Sequence, residues 1–506
     1  MVAFVGSALR TPAAATAAAA GAAATATAIA TSRGLDRAPL LRRLATAATR
    51  RPRRDAMRPA GSSHTGGVDW ARSSFHTESA RVGENVKMDG LNGFPVEQPE
   101  FRPKRVLLLN KLTRLEFERK SLGDVGDDEL AFELQRRGSD YGHLKRKHDM
   151  HTSYVNAVRR QLEAEDVECR LVQRMDYTEE AVAWADAVFT MGGDGTFLLG
   201  ASLVKDQRLP LIGVNTDPHG SEGYMCLDKK RPEAHFAQSL RRLLDGHFQW
   251  LWRQRIRITV RGDSALQEPV ELHDLHLLYP EYRWSEHVDE DGKIRSESLS
   301  GAGGSAAKLS KSRLSAGDGG ESSSGAPPPE KVLPFLALNE VFIGESLSSR
   351  VSYYELQVDE EPEALKRKSS GLTVCTGTGS TSWYFNTNKL TDQCLHELLP
   401  IVAEEAGTSQ LPIDDATVAK ICRRFNRQLV FSPSLPRMAY TVRDPVYNST
   451  FQPAISRGMA DRIRVKSRCF DAHLVVDGGM SYAFNSGSTA EMALHPEDAL
   501  RTVVFR

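Results

Sequence analysis

The chain has 506 residues, 40% of them hydrophobic, enough for two or three domains with real cores. Its 65 Lys and Arg balance 65 Asp and Glu only on average: residues 1–60 hold ten Arg, no Lys and two acids, Asp36 and Asp55, which leaves 55 basic against 63 acidic residues in the rest. A mildly acidic body gives no footprint for a nucleic-acid partner, and without a run of about 18 strongly apolar residues no membrane partner is expected either.

Residues 1–60 read as an organelle transit peptide. An Ala/Thr tract is followed by Leu41-Arg42-Arg43-Leu44 and Arg50-Arg51-Pro52-Arg53-Arg54, with almost no acids. The mitochondrial matrix is the expected address; plastid peptides share this composition. Residues 61–100 are polar and Gly-containing and read as a linker. Residues 101–235 then alternate between strand and helix patterns. Strands are predicted at 106–109, 170–172, 187–190 and 211–215. Helices are predicted around Tyr154, Val155, Val158 and Leu162 (with Thr152 or Ser153 as N-cap), at 179–184 and at 196–204. Alternation with short links predicts an α/β N-terminal domain, a Rossmann-like parallel sheet covered on both faces.

The region 236–490 reads as a mostly β, sandwich-like C-terminal domain that binds the substrate. Short β-rich runs recur at 255–260, 336–343, 353–358, 372–375, 462–466 and 474–476, with helices at 389–404 and 416–429. The Ser/Gly/Pro-rich stretch 296–331 cannot bury enough apolar surface to order itself and is predicted to be a disordered insertion. Residues 491–506 are expected to form a C-terminal tail. Six widely spaced Cys without a CxxC pair give no zinc site or redox pair and fit a reducing compartment. His273 and His276 have no obvious third partner, so no protein metal centre is expected.

The sharpest local signal is Met191-Gly192-Gly193-Asp194-Gly195-Thr196, between a predicted strand and a predicted helix. Ligands of open α/β sheets bind at that end of the strands. Gly192, Gly193 and Gly195 would let backbone amides approach phosphate oxygens, the helix N-terminus adds partial positive charge, and Thr196 adds a hydroxyl donor. Asp194 would repel a phosphate, so its presence needs a chemical reason. Two make sense, accepting the proton of an attacking hydroxyl or holding a metal between phosphates. The loop alone names a reaction class, phosphoryl transfer, since several kinase families use it.

Five further segments follow in order: Ile212-Gly213-Val214-Asn215-Thr216, Gly220-Ser221-Glu222-Gly223-Tyr224, Leu338-Asn339-Glu340-Val341, the stretch 371–381 (Gly-Leu-Thr-Val-Cys-Thr-Gly-Thr-Gly-Ser-Thr) and Val475-Val476-Asp477-Gly478-Gly479. Together they resemble the NAD kinase family. The stretches 250–257 and 337–350 resemble its mitochondrial type, and the likeness spans about residues 102–500 apart from the insertion and some loops. The resemblance implies a cleft between the two domains, transfer of the ATP γ-phosphate to the 2′-hydroxyl of the adenosine ribose of NAD, magnesium, and a homodimer. It places Asp194 on the catalytic aspartate, Asn339 and Glu340 on the pair that holds the dinucleotide, Thr378 and Thr381 on hydroxyl donors, Tyr224 beside the adenine and Asp477 on an acidic cleft position. The chain departs from the family at Ser382-Trp383, where Ala-Tyr is common, at Ser370, where an acid is common, and in a longer turn at 217–222.

The expected mechanism is in-line transfer, with Asp194 taking the hydroxyl proton late and Lys111, Arg114, Arg253 or Arg350 assisting. Inorganic polyphosphate is an alternative donor. Two other functions compete: a lipid or sphingoid-base kinase with the same glycine loop, and a non-catalytic NAD-binding regulator, which the changes at Ser370 and Trp383 keep open.

Overall fold

The structure, a computed structural model, describes residues 99–505 apart from 124, 206, 219, 228–232, 274–327, 348 and 409–413. The expected transit peptide, nearly all of the expected linker and the expected insertion up to residue 327 lie outside the described residues. Among the described residues no helix is long and apolar enough to cross a membrane.

Four short strands form the first sheet: β1 (Arg105–Asn110), β2 (Glu168–Val172), β3 (Ala187–Met191) and β4 (Leu211–Val214). All pairs are parallel, in the order β2-β1-β3-β4. Every residue of β3 and β4 is buried, as a sheet covered on both faces requires. Alternate residues of β1 serve the two faces. Val106 and Leu108 pack with Tyr154, Val158 and Leu162, whereas Leu107 and Leu109 pack with Val182, Phe197 and Ala201.

The helix expected behind Thr152 or Ser153 begins earlier. It spans Tyr141–Glu163, with Asp140 as N-cap accepting from the His143 amide at 2.9 Å. Only its second half buries apolar side chains, so only that half carries a readable helical period.

Two antiparallel sheets follow. The six-stranded one runs Leu365–Ser369, Ser352–Val358, Arg462–Ser467, Thr489–Leu494, Ile256–Arg261, Glu330–Val332. The seven-stranded one runs Arg457–Ala460, Met438–Val442, Leu372–Cys375, Glu340–Glu345, Ala472–Val476, Met480–Ala483, Val270–Glu271. Ile256, Ile258 and Val260 from one sheet share a core with Val341, Leu372, Val374 and Leu474 from the other, which makes the pair a sandwich.

Two boundaries differ from the sequence reading. Glu330 and Lys331, placed at the end of the insertion, pair with Arg261 and Val260. Residues 491–506 are no tail: Thr489–Leu494 is an interior strand of the six-stranded sheet, and Leu500–Val504 pairs with β5 (Gln249–Arg253). Val503 joins the core of one face of the parallel sheet and Leu500 that of the other. The terminal strand and β5 thereby fasten the end of the chain to the α/β layer.

Candidate active site

The glycine loop leaves β3 at Met191 and enters the helix Asp194–Leu203. Its position is fixed from both sides: the Lys111 amide donates to the Met191 carbonyl at 3.1 Å, and the Gly192 amide to the Val214 carbonyl at 3.0 Å. A Cβ on Gly192 would lie 2.2 Å from Thr196 Oγ1 and 2.8 Å from its Cβ, so a side chain there displaces Thr196, and one on Gly193 would lie 2.5 Å from Ser221 Oγ, which would have to turn away. A Cβ on Gly195 would point into open space, the side from which a ligand can reach the backbone. Thr196 folds back over Gly192.

The Asp194 carboxylate is oriented by the loop that follows β4. Oδ1 accepts from the Met225 amide at 2.9 Å and Oδ2 from the Tyr224 amide at 3.1 Å. A carboxylate has about four acceptor sites, so this clamp fixes direction and leaves capacity for a hydroxyl proton. Tyr224, expected to act through its ring, is 47% exposed, and its amide is what reaches Asp194.

Asn339 and Glu340 stand where the chain enters the strand Glu340–Glu345. Beneath them Asp477 sits in a turn at φ 48°, the left-handed region that an Asp tolerates. Its oxygens accept from the amides of Leu338, Asn339 and Glu340 at 2.8, 2.7 and 3.0 Å. Asp477, expected at the substrate, uses its carboxylate in this structure to hold the Asn-Glu backbone. Asn339 Oδ1 and Glu340 Oε2 are buried and have no hydrogen-bond partner among the described residues. Burial, then the nearby Asp477, pushes the Glu340 carboxyl up to about 8; burial also pushes Asp477 up to about 6, against the pull of its three amides.

The second glycine turn lies directly on this pair. The Thr376 amide donates to the Asn339 carbonyl at 3.0 Å, and a Cβ on Gly379 would lie 2.1 Å from that same oxygen. Thr376, which sequence reasoning missed, organises the turn: its hydroxyl donates to the Leu338 carbonyl and accepts from the amides of Thr378 and Gly379. Thr381 Oγ1 donates to the Thr378 carbonyl at 3.3 Å. The departures at Ser370 and Trp383 converge nearby on Arg443. The Ser370 amide donates to the Arg443 carbonyl at 2.9 Å, and the guanidinium lies 4.8 Å from the Trp383 ring and 5.6 Å from that of Phe342.

The two motif regions meet. Leu338, beside Asn339, shares an apolar cluster with Phe197 of the GGDG helix and with Met225, whose amide holds Asp194. Arg253, at the end of β5, donates from Nη1 to Thr378 Oγ1 at 3.3 Å. Burial pulls its guanidinium down to about 10, opposed by the negative charge of Asp194. The structure separates the four cations that sequence could not rank. Arg114 pairs with Glu118, and Arg350 approaches Glu345 at 3.8 Å; both are about half exposed. Lys111 stands at the end of β1 against the glycine loop, its pKa lowered by burial and supported by Asp217. Arg253 is buried inside the site. Two residues on, Arg255 is also buried and donates to the carbonyls of Ala201, Val204, Lys205 and Asp498, closing the far end of the GGDG helix.

Among the described residues no group of three or more His, Cys, Asp or Glu could hold a metal ion by itself. A magnesium ion, which keeps waters and phosphate oxygens as ligands, needs only one or two carboxylates. Asp194 at the glycine loop fits that demand.

Residues 127–248 match the ATP-NAD kinase N-terminal domain family. A Rattus norvegicus protein named NAD kinase 2, mitochondrial, is 41% identical over 407 residues, covering 80% of this chain and 88% of its own. Its Homo sapiens counterpart is also 41% identical over 407 residues, covering 80% and 85%. A solved Archaeoglobus fulgidus NAD kinase in complex with ATP aligns over 79% of this chain and 93% of its own at 15% identity, with a TM-score of 0.39, too low to bear on function. A glycine loop, a clamped aspartate and an Asn-Glu pair linked through one apolar cluster, on a chain this similar to such relatives over most of its length, mean that it belongs to the NAD kinase family, to the mitochondrial type.

Proposed function

We propose that this mitochondrial enzyme phosphorylates NAD at the 2′-hydroxyl of the adenosine ribose, with ATP as donor. The observation that carries the choice of acceptor is the pair of buried oxygens without a partner among the described residues, Asn339 Oδ1 and Glu340 Oε2, next to Leu338, which shares an apolar cluster with the Met225 that holds Asp194. Unpaired buried acceptors are costly and call for a ligand that donates to them. The hydroxyls of a ribose meet that need.

In the reaction the 2′-oxygen attacks the terminal phosphorus, the new P–O bond forms, and the bond to the bridging oxygen breaks with its electron pair leaving on ADP. Asp194 orients the hydroxyl and takes its proton as the bond forms; general-base roles of this kind contribute about 10²–10⁴-fold. The amides of the glycine loop and the N-terminus of the GGDG helix bind the donor phosphates. Magnesium, held by Asp194 and the phosphates, would neutralise donor charge. Thr378 and Thr381 supply hydroxyls to the dinucleotide from the second glycine turn.

The assay is purified protein with magnesium, ATP and NAD, read by enzymatic detection of NADP. NAD bound without an ATP-dependent product would make the chain a regulator instead, and product from a sphingoid base but not from NAD would make it a lipid kinase. The homodimer implied by the family is read by light scattering.

A further inference from the structure

Arg253 and Arg255 are two buried arginines on the same stretch of chain, and the fold treats them differently. Arg255, 1% exposed, gives its N–H groups to four backbone carbonyls. Arg253, 7% exposed, has one partner among the described residues, Thr378 Oγ1 at 3.3 Å, and its Nε is buried with none. A guanidinium carries five donors and is rarely buried without a matching anion or a full set of acceptors. No carboxylate lies within ion-pair distance of Arg253 among the described residues; Asp194 is the acid whose charge acts on it. The Phe197 ring, 5.9 Å away, walls the group from the GGDG-helix side.

A buried arginine bonded to the threonine of one motif, under the charge of the aspartate of the other and with donors left without an acceptor among the described residues, is placed to receive an anion. We infer that Arg253 is a substrate-contacting residue that grips the phosphoryl group during its passage from donor to ribose hydroxyl. This rests on the NAD kinase reading. In a loose transition state the charge spreads over three equatorial oxygens, and a planar fork of N–H donors matches two of them. The guanidinium keeps all its protons; the hydroxyl proton still goes to Asp194 and the leaving electron pair to ADP. In the free protein Thr378 holds the arginine in place.

The test compares the parent protein with Arg253→Met, Arg253→Lys and Arg253→Gly in steady-state assays, with NAD affinity and melting temperature measured alongside. For Arg253→Met we expect kcat about 10²–10³-fold lower, with NAD affinity within about threefold of the parent. Arg253→Lys should fall between the two, since the charge remains and the fork is lost. The glycine variant should regain part of its kcat with millimolar guanidinium and none with urea, its neutral isostere. The inference is overturned by a methionine variant with kcat within about threefold of the parent, by a loss confined to NAD affinity, or by guanidinium doing no better than urea. If the methionine variant does not fold, the guanidinium-against-urea comparison decides. A parent protein that makes no NADP fails the NAD kinase reading itself; an active parent with unaffected variants fails only the arginine.

Discussion

Glu340 offers a prediction that can be worked from the structure. Its carboxyl, pushed up to about 8 by burial and by Asp477, carries a proton at pH 7 in about nine molecules of ten. If the ribose hydroxyls of NAD donate to it as a carboxylate, binding at pH 7 includes the cost of ionising it, about 1.4 kcal/mol per pH unit below the pKa. The KM for NAD should therefore fall about tenfold per unit between pH 6 and 8 and level off above. Glu340→Gln keeps the shape and one acceptor oxygen and removes the ionisation. Its KM should be flat over the same range, and at pH 9 about 10–100-fold above the parent's, the worth of a charge-assisted hydrogen bond of about 1.5–3 kcal/mol.

Stability follows the same protons. Because the folded pKa lies above the ordinary value of 4.5, the native state binds more protons than the unfolded chain between pH 4.5 and about 8. The stabilisation from that proton is complete below 4.5 and is lost as the pH rises through about 8. Asp477, raised from 3.8 to about 6, adds a change of the same sign in a lower window. Relative to the parent, the glutamine variant should gain stability at pH 9. Initial rates with NAD varied at saturating ATP from pH 6 to 9, with urea melts at each end, check both. A parent KM flat across this range, or a variant with the parent's slope, refutes the role given to the buried carboxyl.

Asp194→Asn should lower kcat about 10²–10⁴-fold, while the melting temperature drops only slightly, since the amide oxygen can still accept from one of the two clamping amides; stopped-time NADP assays and a thermal melt read both. Gly379→Ala places a Cβ 2.1 Å from the Asn339 carbonyl, so the Asn-Glu pair must shift; NAD affinity by calorimetry should fall at least about tenfold, a modest displacement at a site held by directional hydrogen bonds. Arg255→Met removes the guanidinium from four carbonyls, and at about 1–3 kcal/mol for each buried group left unpaired, with some relaxation, the loss should be about 3–5 kcal/mol in urea unfolding; a loss below about 1 kcal/mol would mean water or a shifted backbone replaces it.

What local pattern can encode was legible in the chain. A buried apolar strand, two glycines, an aspartate and a helix start are consecutive, so the strand-loop-helix at 187–204 was readable. So were the alternation that makes a parallel sheet and the period of two that puts Ile256, Ile258 and Val260 inside a sandwich. The order of the five later motifs pointed to the family before any contact was known. How these pieces serve one another became visible only in three dimensions. Asp477 turns its carboxylate to three amides more than a hundred residues away, Tyr224 matters at Asp194 through its amide, and the final strand returns to β5. Arg253 stands out from Arg114 and Arg350 by burial and missing partners, not by its neighbours in sequence. One cause underlies all four. Propensity and periodicity report which face of an element is dry, whereas the partner of a buried polar group is set by long-range packing that brings distant segments within hydrogen-bonding distance.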